Sequence, residues 1–188
     1  FLKGKDTEWD KRSAVEYFVR GANVFRTSDT WPPAGVKYMA WHLSADKTGS
    51  VTSLNDGLLS PSGPHGGDAT SYSYPNPGWA SGVVGFGPTG PAGGFDPVRR
   101  VLTFTTAPLA KDLEIAGPIR LVLYASSTAK DTDFVVKLAE QYPQSAEDRA
   151  KGLNPSSQLV TKGWLRASHR ALDPKHSAEM EPYHTHTD

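Results

Sequence analysis

No stretch of this chain runs far without a glycine or a proline, and that punctuation limits the fold more than any other feature. The 18 Gly and 15 Pro among 188 residues make roughly 18% of the chain, against about 12% in ordinary usage. Proline removes a backbone donor and glycine carries a large entropic cost inside a helix. Long helices therefore have little room, and what survives between the breaks is short and rich in β-branched and aromatic residues.

Those short segments read as strands. "AVEYFVRG" (Ala14 to Gly21) and "VKYMAWHL" (Val36 to Leu43) have the composition, and the link "TSDTWPPAG" between them is turn material. "RVLTFTT" (Arg100 to Thr106) sets Leu102, Phe104 and Thr106 against Val101, Thr103 and Thr105. "PIRLVLYASS" sets Ile119, Leu121 and Leu123 against Arg120, Val122 and Tyr124. Such alternation of period two is the mark of a strand with two unlike faces. "DFVVKLAEQY" puts Phe134, Val136 and Leu138 on one side, and "QLVTKGWLRASHR" (Gln158 to Arg170) is a further extended segment. The sum is seven or eight strands, hence an all-β fold of the β-sandwich or jelly-roll type.

Two stretches resist this scheme. Ser73 to Pro97 holds too much Gly and Pro for regular structure, yet carries Trp79, Val83, Val84, Phe86 and Phe95, side chains that a purely solvated loop would not favour. The tail from Lys175 to Asp188 is polar, has no hydrophobic period and ends without a closing strand.

Charge and cysteine narrow the function classes. Twenty basic residues balance twenty acidic ones and cysteine is absent, so no long-range field points to nucleic acid or an anionic membrane. Thiolate zinc, disulfides and a cysteine nucleophile are excluded. The apolar runs fall well short of the roughly 20 residues of a membrane helix. The missing cysteines favour a cytosolic address without fixing the compartment.

Motifs for catalysis are weak. The G-x-S-x-G elbow that exposes a nucleophilic serine is absent, and "GWASG" carries Ser81 in its fourth place with no helical pattern after it. His184 and His186 in "HTH", with Asp188, would put two imidazoles and a carboxylate near one another on an extended segment, but no third ligand stands at a diagnostic spacing. His42, His65, His169 and His176 carry less signal still. Asp131 and Asp133 in "KDTD" sit between two apolar runs. Satisfying turn amides is a sufficient reason for them, and a calcium site is the sharper alternative, without EF-hand spacing behind it.

Longer words are more specific. "VEYFVRGANVFRTSDTWPP", then the run from Arg100 through "SSTAKDTDFVVKLAEQYP", then "GWLRASHRAL" resemble the C-terminal domain of the cocaine esterase and X-Pro dipeptidyl-peptidase family of serine hydrolases. Trp31 and Pro32 match its tryptophan–proline turn, Thr105 to Leu109 a strand end, and Ser126 to Leu138 its most distinctive word. The resemblance implies a galactose-binding-like jelly roll over residues 14–188, lacking its last strands, preceded in 1–13 by the end of a hydrolase domain and a linker.

It also implies a non-catalytic accessory role. The Ser-Asp-His triad of an acyl-transfer hydrolase belongs to an upstream α/β-hydrolase domain, so no catalytic residue, metal or cofactor is assigned to this chain. That domain is the implied partner, an ester or X-Pro peptide the implied substrate, and homo-oligomerisation stays open. Asp131 and Asp133 become hallmarks of a jelly-roll joint, with Asp133 a structural acceptor between strands. The Gly-rich loop from Gly78 to Asp96 is expected to line the substrate cleft through Trp79, Val83, Val84 and Phe86. The alternative is a carbohydrate-binding module that uses Trp9, Trp31, Trp41, Trp79 and Trp164 as stacking platforms.

Overall fold

The computed structural model describes residues 3–4, 7–63, 69–73 and 101–185. Within them the chain is all-β, with seven strands, one five-residue helix and two short 3-10 turns at Trp9–Lys11 and Ala167–His169. The chain divides into two compact units. One draws on Phe1–Tyr38, Ala110–Ser126 and Leu172–His184, the other on Met39–Leu109, Ser127–Ala171 and Thr185–Asp188.

The first unit is organised by a hairpin. β1 (Val15–Val19) pairs antiparallel with β2 (Val24–Ser28), from Val19↔Val24 to Val15↔Ser28. The turn "RGAN" closes it with Gly21 at φ 86 and Asn23 at φ 55, a left-handed conformation that these two residue types tolerate best. Val15, Tyr17 and Val19 form the half-buried face of β1. Phe18 and Phe25 stand opposite each other with ring centroids 5.0 Å apart, and Tyr17 meets Trp31 edge-on at 5.8 Å. Trp31–Pro32 is a cis peptide.

The second unit holds two sheets. β3 (His42–Ser44) runs antiparallel to β4 (Gly57–Ser60), and β5 (Phe104–Thr105) lies parallel on the far side of β4. The connection from β3 to β4 winds around Asp56. Its carboxylate accepts the Thr48 hydroxyl at 2.6 Å and the N–H groups of Gly49 and Val51 at 2.6 and 3.3 Å. Burial pushes this carboxyl up, but those donors outweigh it and hold the group below its ordinary value. The best-buried apolar side chain among the described residues is Val51, 8% exposed. Beside it Asn55 accepts the Thr103 N–H at 2.7 Å, and Gly57 donates to the Thr103 carbonyl at 2.9 Å. These bonds clamp β4 to the segment that enters β5.

The second sheet of this unit is a long ribbon. β6 (Asp133–Gln141) pairs antiparallel with β7 (Ser157–Arg166), from Asp133↔Arg166 to Gln141↔Ser157, with a register shift at Leu138/Ala139. The connection carries helix α1 (Ala146–Ala150), whose N-cap Ser145 accepts the Asp148 N–H at 3.0 Å. Further on, Asn154 brackets the backbone of Thr52, accepting its N–H at 2.6 Å and donating to its carbonyl at 3.1 Å.

Several strand expectations need correction. β6 matches closely, and β7 stops at Arg166 rather than continuing to Arg170. The segment expected from Val36 forms a ladder only from His42, and that expected over Arg100 to Thr106 only at Phe104–Thr105. "PIRLVLYASS" joins no ladder among the described residues, and Leu121, Val122, Leu123 and Tyr124 are exposed, Tyr124 at 95%. Alternation specifies what each face of a strand would show, whereas a strand exists only where a neighbour supplies the other half of the hydrogen bonds. β2 and β4 were not anticipated. No helix among the described residues is long and apolar enough to cross a membrane.

Candidate functional site

The two most distinctive words of the sequence meet in space. The first pair of the β6–β7 ladder is Asp133↔Arg166, and the Arg166 guanidinium donates from Nε and Nη2 to the two Asp133 carboxylate oxygens at 2.8 and 3.0 Å. That fork-on-fork geometry is what a planar guanidinium and a carboxylate form best. One turn onward, Asp131 accepts the Ser168 N–H at 3.0 Å, the Ser168 hydroxyl at 2.8 Å and the Thr132 N–H at 2.9 Å. The Ala167 N–H donates to the Thr132 carbonyl at 2.8 Å. "DTD" and "RAS" are thus latched residue to residue, and the 3-10 turn Ala167–His169 begins where the latch ends the strand.

The electrostatics follow from the donors. The Ser168 hydroxyl holds the Asp131 carboxyl below its ordinary value. The Arg166 hydrogen bonds do the same for Asp133. Both groups are charged at neutral pH and accept hydrogen bonds from protein donors. This is the work of a structural joint, as expected for Asp133. Its side chain is nevertheless 54% exposed, which places the pair in the class of surface ion pairs.

Next to the latch, one face of the ribbon is open. Asp133, Val135, Trp164, Leu165, Arg166 and His169 line a shallow cavity of about 390 Å³. Val135 and Trp164 stand opposite each other in the ladder and are 37% and 71% exposed. The next pair on the same face, two residues along each strand, is Lys137↔Lys162. Burial and the neighbouring Lys162 both press the Lys137 ammonium below its ordinary value.

Other candidates separate. Trp79, Val83, Val84 and Phe86, expected in the substrate cleft, lie outside the described residues, as do Ser81, His65, His186 and Asp188. His184 is described, forming a backbone bridge with Leu172. Among the described residues no three His, Asp or Glu side chains cluster in a way that could hold a metal ion. Of the tryptophans expected as platforms, Trp9 lies under the Arg12 guanidinium at 5.3 Å, Trp31 contacts Tyr17, and Trp41 is half-buried.

One contact escaped the sequence reading. Asp173 accepts from the Lys175 N–H at 2.8 Å and pairs with His176 Nδ1 at 2.7 Å, and the imidazole lies 5.4 Å from the Tyr183 ring. The D-x-x-H spacing in a Pro-containing turn was its only signal.

Comparison with known proteins bears on these words. Residues 7–185 match the family described as the X-Pro dipeptidyl-peptidase C-terminal non-catalytic domain. A Mycobacterium bovis protein named "Putative serine esterase" is 29% identical over 199 aligned residues, covering 98% of this chain and 28% of that protein. A Mycobacterium tuberculosis protein of the same description gives the same figures. The protein named "Cocaine esterase" from a Rhodococcus species is 32% identical over 137 residues, 69% of this chain and 24% of its own length. The chain therefore spans about a quarter of the length of these relatives. No solved structure matches it.

Proposed function

Because the chain belongs to the family of X-Pro dipeptidyl-peptidase C-terminal non-catalytic domains, we propose that it is the accessory C-terminal domain of a serine hydrolase acting on esters or X-Pro peptides. The match over residues 7–185 carries this reading, and the names of the esterase relatives support it. A galactose-binding-like jelly roll is the arrangement of strands that goes with it. The catalytic domain lies upstream in the same polypeptide. There a serine attacks the acyl carbonyl, a histidine moves the proton and backbone donors hold the oxyanion.

In this reading the present chain contributes surface rather than chemistry. Its two most prominent carboxylates, Asp131 and Asp133, are consumed by the latch to Ser168 and Arg166, which leaves them no part in acid–base work. The Gly-rich loop with Trp79, Val83, Val84 and Phe86 covers the acyl side of the substrate cleft, since long loops at domain junctions are where binding groups concentrate. The test has two arms. The purified chain is expected to turn over no chromogenic ester or X-Pro peptide, and turnover abolished by Ser81→Ala would overturn the accessory reading. In the complete enzyme, Phe86→Ala is expected to raise KM or shift acyl preference with little change in melting temperature. A lower melting temperature with unaltered kinetics would move the loop from the cleft to the core.

A second reading, carbohydrate binding, is favoured by one observation: exposed Trp164 beside the Asp133–Arg166 pair, an apolar ring next to directional polar groups. A blank glycan array would remove it.

A further inference from the structure

Two neighbouring cross-strand pairs on one face of the β6–β7 ribbon differ in kind. Val135↔Trp164 is apolar and Asp133↔Arg166 is an ion pair. Two residues separate them along each strand, which sets the indole roughly 7 Å from a rigid polar fork. Trp164 is 71% exposed, and both pairs line the same shallow cavity of about 390 Å³. A large aromatic side chain left in water beside directional polar groups suits a ligand that is apolar on one flat side and polar at its edge.

The fork keeps hydrogen-bonding capacity after the latch is made. A guanidinium carries five N–H donors, and Asp133 takes one from Arg166 Nε and one from Nη2. No acceptor among the described residues takes up the Nη1 donors. Each Asp133 oxygen accepts one of those N–H groups and retains a lone pair for another donor. Donors and acceptors thus sit side by side in a planar frame that the ion pair has already oriented. Two hydroxyls on adjacent carbons match it, one accepting from Arg166 while the other donates to Asp133. The opposite charges of the fork offset each other, and the Asp131 carboxylate 4.0 Å from Arg166 Nε weighs against an anion. We propose that this site binds a neutral pyranose, stacked on Trp164 beside Val135, with its vicinal hydroxyls on Arg166 and Asp133. The proposal rests on the carbohydrate reading above and assigns it a site and a ligand class. It is compatible with the accessory role, since a saccharide held on this ribbon leaves the chemistry to another domain.

The experiment is hydroxyl-radical footprinting of the intact polypeptide, alone and with neutral oligosaccharides of glucose, galactose or mannose, with oligogalacturonate as the acidic comparator. Trp9, 65% exposed and outside this cavity, serves as the internal reference. At saturating neutral oligosaccharide, oxidation of Trp164 is expected to slow at least about fivefold while that of Trp9 is unchanged. Titration calorimetry is expected to show affinity that hardly changes with salt. That affinity should fall at least about tenfold in Trp164→Ala and less in Trp164→Phe, which keeps a ring. Binding that survives Trp164→Ala overturns the proposal and leaves the carbohydrate reading standing at another site. No binding of any neutral oligosaccharide overturns both. A preference for oligogalacturonate that salt abolishes overturns the assignment of a neutral ligand. Protection of Trp164 without any saccharide also overturns the proposal, because the face is then covered within the polypeptide. Footprinting of the unmodified protein needs no variant, so misfolding cannot imitate the result.

Discussion

Gly57→Ala is the substitution whose effect the structure determines most directly. Gly57 opens β4 and is buried. A Cβ placed there would lie 2.6 Å from the Phe104 ring, 2.7 Å from the Ser44 carbonyl oxygen and 2.8 Å from Asn55 Nδ2. Ordinary carbon contacts begin near about 3.5 Å, so all three neighbours must retreat by several tenths of an ångström. The Ser44 oxygen is backbone in β3, paired with Leu58, and Asn55 is anchored by its bond to the Thr103 N–H. Overpacking of this kind costs about 1–3 kcal/mol. In a domain of this size each kcal/mol moves the melting temperature by roughly 2–4 °C, so a fall of about 2–12 °C is expected in thermal unfolding followed by circular dichroism. Gly163→Ala is the matched control. That glycine lies in β7 without a positive φ and with nothing within 4 Å of a Cβ, so alanine is expected to be neutral or to stabilise by about 0.4–1 kcal/mol through the unfolded chain. If Gly57→Ala melts within a degree of the parent, or the two alanines act alike, the packing around β4 is not as described.

The latch makes the remaining predictions. Asp131 and Asp133 have folded-state pKa values below those of an unfolded aspartate, through Ser168 and Arg166 respectively. Their stabilisation is therefore complete above about pH 4–5 and lost as pH falls below about 3.9 toward the folded values. Melting temperature scanned from pH 7 to pH 3 should fall less steeply in Asp131→Asn/Asp133→Asn than in the parent, and equal slopes would contradict the hydrogen-bond assignment. Asp133→Ala in the complete enzyme should lower the melting temperature and leave kcat unchanged, while lost catalysis at unchanged stability would reverse its role. Arg166→Lys keeps the charge but not the fork, so it should melt close to Arg166→Ala rather than to the parent. A lysine variant as stable as the parent would show that charge alone sustains the pair.

How much of this was legible in the chain depends on whether the determining contact was local. β6 was readable because Phe134, Val136 and Leu138 alternate within one unbroken run, and the "RGAN" turn that closes the β1–β2 hairpin carried its own Gly and Asn signal, although β2 itself was passed over. β4 was hidden in "DGLLS", whose strand character comes from being wedged between β3 and β5 and tied to Thr103, about fifty positions away. No periodicity in four residues can report that. The converse failure is "PIRLVLYASS", where the alternation is clear and no described neighbour completes a ladder.

The latch shows why the most recognisable words were the least interpretable alone. "DTD" by itself is compatible with a turn, a calcium loop or a catalytic pair, because a carboxylate's role is set by the donors that reach it. Those donors sit in "RAS", thirty-odd residues on, and the β6–β7 register brings Arg166 opposite Asp133 and the Ser168 N–H onto Asp131. Once both words are seen in one ladder, the spacing of each is explained by the other. Arg166 and Asp133 stand opposite as the first pair, and the residues just outside the ladder close the second clasp. The same register puts Trp164 and Val135 opposite each other, and Lys162 and Lys137 after them, on the face the ion pair opens. A slip of one residue between the strands would break the Asp133–Arg166 fork and turn Trp164 to the opposite face. The latch thereby pins the register of the ribbon, so loosening it at Asp133 is expected to lower stability and to speed amide hydrogen exchange along β6 and β7 in Asp133→Ala. Unchanged exchange along both strands in a destabilised Asp133→Ala protein would show that the ribbon keeps its register without the latch.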